Sequence, residues 1–206
     1  MRVSARGASV GLQLHRLESS VRTKNEAFDL PEQLRERPSG SALVYLSLGS
    51  LGSADVDLMR RLVEMLAQTP HRFIVSTGPQ HAEYALADMW VAEFLPQTNI
   101  LPLVDFVITH GGNNTATEAM HFGKPMIVLP LFWDQYDNAQ RVHETGHGIR
   151  LDTYRCTADQ LADAISSLLD DHELGRRLTL ESTAIRSADG VRRAADLIEE
   201  VATSRR

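Results

Sequence analysis

Between residues 42 and 151, short apolar runs alternate with stretches of helical period, and few folds accept that alternation. Residues 42–48, 72–76, 90–94, 105–109, 126–129 and 148–151 read as strands. Several are apolar throughout instead of every second residue, the pattern of a strand covered on both faces. Val56, Met59, Leu62, Val63 and Leu66 recur at helical spacing over residues 55–69, with Ser53 or Asp55 as the cap. Further helical stretches fall at 83–88, 114–122 and 138–145. Strands joined through helices imply right-handed crossovers, so the expected class is α/β, a doubly wound, mostly parallel, Rossmann-like sheet. After Cys156 the pattern is helical only, with Leu161, Ile165, Leu168 and Leu169 on one face and Val191, Ala194, Ile198 and Val201 on another. Two or three extra C-terminal helices are expected.

Residues 1–40 show no sustained period and close on Pro31, Pro38, Ser39 and Gly40. They read as an arm or interdomain linker leading into a domain at 41–206. A net charge of −6 without a basic stripe argues against a nucleic-acid surface. The lone Cys156 has no disulfide partner and no metal-type spacing around it, which points to a reducing, cytoplasmic setting. The apolar run at 10–14 is broken by Gly11 and Gln13, too short for a signal core or a membrane span.

In open parallel sheets, ligands sit beyond the carboxyl ends of the strands. Two loops there carry the chemistry. One is Gly49-Ser50-Leu51-Gly52. The other is His110-Gly111-Gly112-Asn113-Asn114-Thr115, whose paired glycines allow close backbone approach and whose helix start favours an anion. Each hydrogen bond to a charged oxygen contributes roughly 1.5–3 kcal/mol, so a few donors hold a diphosphate without a metal. Glu118 lies nearly under Thr115 on one helix face, suited to accept from two ribose hydroxyls. Asp134 and Gln135 follow another strand end and suit sugar hydroxyls. Each feature has a plainer alternative: a tight glycine turn with Asn113 or Asn114 as a cap, a structural His110, a solvated Glu118, and a cap for the helix after Asp134. Asp55-Val56-Asp57 matches a metal-binding DxD in form, but at a helix start it reads as a capping pair. No P-loop lysine motif and no G-x-G-x-x-G follow the first strand, which counts against an ATPase or a dehydrogenase.

Taken in order, Phe94-Leu95-Pro96-Gln97, Thr109 to Thr115, Glu118, Gly123-Lys124-Pro125, Pro130 to Gln135 and Asn138 resemble the signature of nucleotide-sugar-dependent glycosyltransferases of the GT-B fold. The likeness is to the macrolide-type bacterial branch of the UDP-glycosyltransferases and extends from about Leu43 to the C-terminal helices. It implies that Phe94 stacks on the nucleobase and Gln97 lies near the nucleoside. It implies His110 and Gly112 at the diphosphate, Asn114 and Thr115 at the phosphate nearer the ribose, and Glu118 on the ribose itself. Asp134 and Gln135 would hold the transferred sugar, and Ser50 would close over the phosphates. Phe94 stands where the plant pattern has Trp, and Gly111 and Asn113 stand where it has Cys and Trp. The stretch from Gln97 to His110 is slightly shorter, so UDP-sugar and TDP-sugar donors both remain open.

The resemblance implies the donor-binding, C-terminal half of an inverting, metal-independent hexosyltransferase acting on a small-molecule acceptor, with no cofactor. The general base and acceptor pocket would come from an N-terminal acceptor domain, and none of the other histidines stands in a motif that would make it that base. The isolated chain is therefore expected to be inactive. A non-catalytic nucleotide-sugar-binding module is the alternative, and an epimerase or hydrolase on the same fold the third reading. The face meeting the acceptor domain is expected to be apolar and exposed, which allows a homodimer through it.

Overall fold

A computed structural model describes residues 17, 19–22, 28–78 and 89–204. Six strands form one sheet: β1 (Leu43–Ser47), β2 (Arg72–Ser76), β3 (Met89–Ala92), β4 (Phe106–Thr109), β5 (Met126–Val128) and β6 (Gly148–Arg150). Their order is β3-β2-β1-β4-β5-β6 and every neighbouring pair is parallel. The expected α/β, Rossmann-like architecture is the one observed.

Alternate residues of each strand go to opposite layers. Val44, Leu46, Phe73, Val75, Ile108 and Ile127 pack with Leu58, Met59 and Leu62 of α3 (Val56–Leu66) and with Leu161 and Ile165 of α7 (Ala158–Asp170). Leu43, Tyr45, Ile74, Val107, Met126 and Val128 pack on the other face with Ala119 of α5 (Asn113–His121) and Ala139 and Val142 of α6 (Gln135–Glu144). The strands are thus buried on both sides, which is why their sequences lack alternation. Asp55 caps α3, accepting from the Leu58 N–H at 3.1 Å, and Asp57 sits in the first turn 3.9 Å from Arg60. This DxD is a helix start.

The structure departs from the sequence reading at short elements. Residues 28–40 contain α1 (Glu32–Arg35), and its Leu34 is fully buried in the second layer. The glycine turn after β1 is a single helical turn, α2 (Gly49–Gly52), and α4 (Gln97–Ile100) with a 3-10 turn at Leu101–Leu103 precedes β4. The third strand ends at Ala92, leaving Phe94 beyond it. Helix α6 starts at Gln135, a turn earlier than its periodicity suggests. The helical turn expected at 83–88 lies outside the described residues. Three C-terminal helices follow: α7, α8 (His172–Ser187) and α9 (Gly190–Ser204). Among the described residues no helix is long and apolar enough to cross a membrane.

Candidate functional site

The strand order runs one way from β1 to β3 and the other way from β4 to β6, so the chain reverses between β1 and β4. A crevice opens at that reversal beyond the carboxyl ends of the strands. The loops after β1 and β4 meet there. They and the loop after β5 line a cavity of about 380 Å³ that includes Ser50, His110, Gly112, Asn114, Thr115 and Gln135.

His110 is the fixed centre. Its imidazole is held between two glycine Cα atoms: a Cβ on Gly112 would stand 2.5 Å from His110 Nε2, and one on Gly49 would stand 2.9 Å from Nε2 and Cε1. Neither contact is tolerable, so the ring keeps its place only while both positions lack side chains. Gly111 has φ +83° and its missing Cβ would fall 2.7 Å from Val128, so this position too requires glycine. The Gly111 N–H donates to Thr109 Oγ1 at 3.2 Å, closing the turn. Burial pushes the His110 pKa down from the ordinary imidazole value. A hydrogen bond with the Ser47 backbone and the charge of Asp134 pull the other way. Near neutral pH the ring is therefore uncharged, and its single N–H goes to the Ser47 carbonyl.

Helix α5 begins at Gly112 with no side-chain cap and no acidic residue in its first turn. Neither Asn113 nor Asn114 serves as the cap considered from sequence. The free N–H groups of this turn, and the positive end of the helix dipole, face the cavity unopposed. One turn on, Gln97 Nε2 of α4 donates to Thr115 Oγ1 at 3.3 Å and to Glu118 Oε2. Gln97, Thr115 and Glu118 thus form one polar strip along α5.

The loop after β5 is strained. Trp133 has φ +54°, a costly backbone conformation for a bulky residue of about 1–3 kcal/mol, and its ring is exposed. Gln135, almost wholly buried, holds this loop by accepting from the Leu131 and Phe132 N–H groups at 2.9 and 3.2 Å. Its amide nitrogen is the end that remains to donate. Asp134 accepts from Asn113 Nδ2 at 2.8 Å.

Six of the ten residues singled out from sequence line this crevice, Gln97 and Asp134 join it through one hydrogen bond each, and Glu118 joins it through Gln97. The tenth, Phe94, is 76% exposed and is not among the lining residues. Sequence reasoning gave Gly49 no role beyond its turn, Asn138 only a place in the resembling signature, and the Asn113 side chain only the alternative of a helix cap. The signal for Gly49 was its place opposite the Gly-Gly pair at a strand end. Nothing in the sequence pointed to the hydrogen bonds the two asparagines make with Asp134, Gly111 and each other.

Residues 23–182 match the profile of the family described as UDP-glucoronosyl and UDP-glucosyl transferase. The chain belongs to that family. Among its relatives, the NDP-glycosyltransferase YjiC of Bacillus subtilis is 30% identical over 161 residues, covering 76% of this chain and 41% of the relative. The oleandomycin glycosyltransferase of Streptomyces antibioticus is 32% identical over 170 residues, covering 80% and 40%. Among solved structures, the glycotransferase of kitacinnamycin superposes with a TM-score of 0.75 at 27% identity, covering 88% of this chain and 46% of that one. The spinosyn rhamnosyltransferase SpnG, solved with thymidine diphosphate, gives 0.67 at 25% identity, covering 82% and 49%. The chain has the Rossmann-like fold of these GT-B proteins and spans about two fifths of the length of the curated relatives it matches.

Proposed function

We propose that this chain is the donor-binding part of an inverting, metal-independent glycosyltransferase that moves a hexose from a UDP- or TDP-sugar to a small-molecule acceptor. Residues 41–206 form the nucleotide-sugar-binding unit, and residues 1–40 are the arm that joins it to an acceptor domain in the same or a separate chain. The observation that carries this reading is the slot that holds a neutral His110 between Gly49 and Gly112, beside the open N-terminus of α5.

A diphosphate laid on that start receives the first N–H groups of α5, with the Asn114 and Thr115 side chains beside them, and gains a second His110 N–H when that ring takes up a proton. Ser50 closes from the opposite loop. Glu118, oriented by Gln97, accepts from the ribose hydroxyls, and the exposed Phe94 ring at the rim is free to cover the base. Asp134 and the Gln135 amide take the sugar. In the transfer, the acceptor oxygen attacks the anomeric carbon from the face opposite the diphosphate. Its proton goes to a base on the acceptor domain, and the bond to the diphosphate oxygen breaks. The leaving diphosphate gains negative charge as it departs, and donors already aimed at it stabilise that change more than the ground state. The exposed Leu51, Phe94 and Trp133 side chains supply apolar contact for the acceptor domain or, without it, for a second copy.

Titration calorimetry with UDP and with TDP, EDTA present, tests the reading. Binding of at least one is expected, and binding of neither overturns it. Adding a separately made acceptor domain is expected to restore sugar transfer.

A further inference from the structure

Asp134 occupies the N-cap position of α6, where an aspartate normally accepts from its own helix, yet its side chain makes no capping bond. The carboxylate turns instead to Asn113 on α5, whose Nδ2 donates to Asp134 Oδ2 at 2.8 Å. Asn113 is itself oriented. Asn138 Nδ2, on α6, donates at 2.9 Å both to Asn113 Oδ1 and to the Gly111 carbonyl. A main-chain carbonyl only accepts, so it fixes which end of the Asn138 amide is nitrogen. The Asn113 oxygen must then face Asn138 and its nitrogen must face Asp134. Orientation passes from a backbone atom of the glycine loop, through two amides, to a carboxylate on the next loop.

We propose that Asn113 is a positioning residue that aims Asp134 at the donor's sugar, and so sets how much the sugar adds to binding beyond the nucleotide. This rests on the donor-binding reading above. With Oδ2 engaged by Asn113, Oδ1 is left to accept from a sugar hydroxyl. Trp133, at φ +54°, bends the chain just before Asp134 and brings it within reach of α5. Without the amide, the carboxylate at this exposed position is a free rotor and meets a hydroxyl only part of the time. The same relay ties the loop that faces the diphosphate to the loop that faces the sugar.

The test compares the affinities of the full chain for UDP and UDP-glucose, and for TDP and TDP-glucose, by calorimetry. Asn113→Ala is expected to lower the ratio of sugar-nucleotide to nucleotide affinity by about five- to tenfold, with affinity for UDP or TDP alone within about twofold of the unaltered chain. Asn138→Ala lowers the ratio less, because Asn113 remains but loses its orientation. Asn113→Asp sets carboxylate against carboxylate and lowers it most. Combining Asn113→Asp with Asp134→Asn restores a donor–acceptor pair and recovers part of the loss. An unchanged ratio, an equal loss for nucleotide and sugar-nucleotide, or no recovery in the pair overturns the positioning role and leaves the donor site standing. Failure of the unaltered chain to bind any of the four nucleotides overturns both.

Discussion

At one edge of the parallel sheet the strands end, at the other they begin, and each edge has a cavity. The cavity at the beginning edge is the more voluminous, about 760 Å³ against about 380 Å³, and lies between β4, β5, α7 and α8. Several of its polar groups, however, are engaged within the protein. Asp105 accepts from the Leu43 N–H and pairs with Arg37, Lys124 Nζ donates to the Pro102 carbonyl, and Asp171 caps α8 through the Leu174 N–H. At the ending edge the first N–H groups of α5 lack a capping side chain, and glycines bring backbone to the surface. Volume therefore does not locate the chemistry here. The direction of the peptide units and the supply of open donors favour the ending edge for the proposed site.

The sharpest way to break this contrast is Gly112→Val. Its side chain displaces His110 and fills the approach to α5, so UDP affinity is expected to fall at least about a hundredfold, with the helical circular-dichroism spectrum retained. Normal binding would mean that the slot is not where the diphosphate lies. Next in size, Glu118→Gln keeps the shape and removes the charge proposed to face the ribose, for an expected loss of about tenfold in UDP affinity by calorimetry.

A smaller effect concerns pH. A bound diphosphate raises the depressed His110 pKa, so binding takes up protons as the pH falls from about 8 to about 6. The ratio of unaltered to His110→Asn affinity is expected to rise a few-fold over that range. Comparing the two proteins cancels the nucleotide's own titration. Stability of the free chain moves oppositely. Burial lowers the pKa of His71, His110 and His121, so the folded form resists protonation. Their contribution is full above the ordinary value of 6.5 and lost as the pH falls below it towards the folded values. The thermal midpoint is expected to drop by a few degrees between about pH 7.5 and pH 5.5. The smallest effect belongs to the opposite edge: Lys124→Gln should leave UDP affinity within about twofold. If it matched Glu118→Gln, the division between the edges would fail.

How much of this was legible in sequence depends on how local its cause is. Strand β2 has the same bounds, Arg72–Ser76, in the sequence reading and in the structure, because a contiguous apolar run needs only itself to be recognised. Helix α3 was legible from its stripe and from Asp55. Helices α1, α2 and α4 are four residues each, too short to show a period, and escaped for that reason. The sheet order depends on pairings between distant segments, for which no local pattern exists. In the site, the residues of the glycine loop and Glu118 could be placed because helix spacing and strand ends fix them. The Asn113–Asp134 link could not, since it joins residues on different loops and depends on a left-handed turn at Trp133, a residue that rarely makes one.

The glycine slot around His110 works like the closed jaws of a caliper. Both jaws are bare backbone, one on each side of the point where the sheet reverses, so a side chain added to either dislodges the ring. If the proposed donor site holds, new donor preferences would arise from Phe94, Gln97, Asn113 and Trp133, while the grip of the slot on the pyrophosphate would stay constant. A library that randomised the rim and left Gly49, His110 and Gly112 untouched would change what is carried without loosening how it is held.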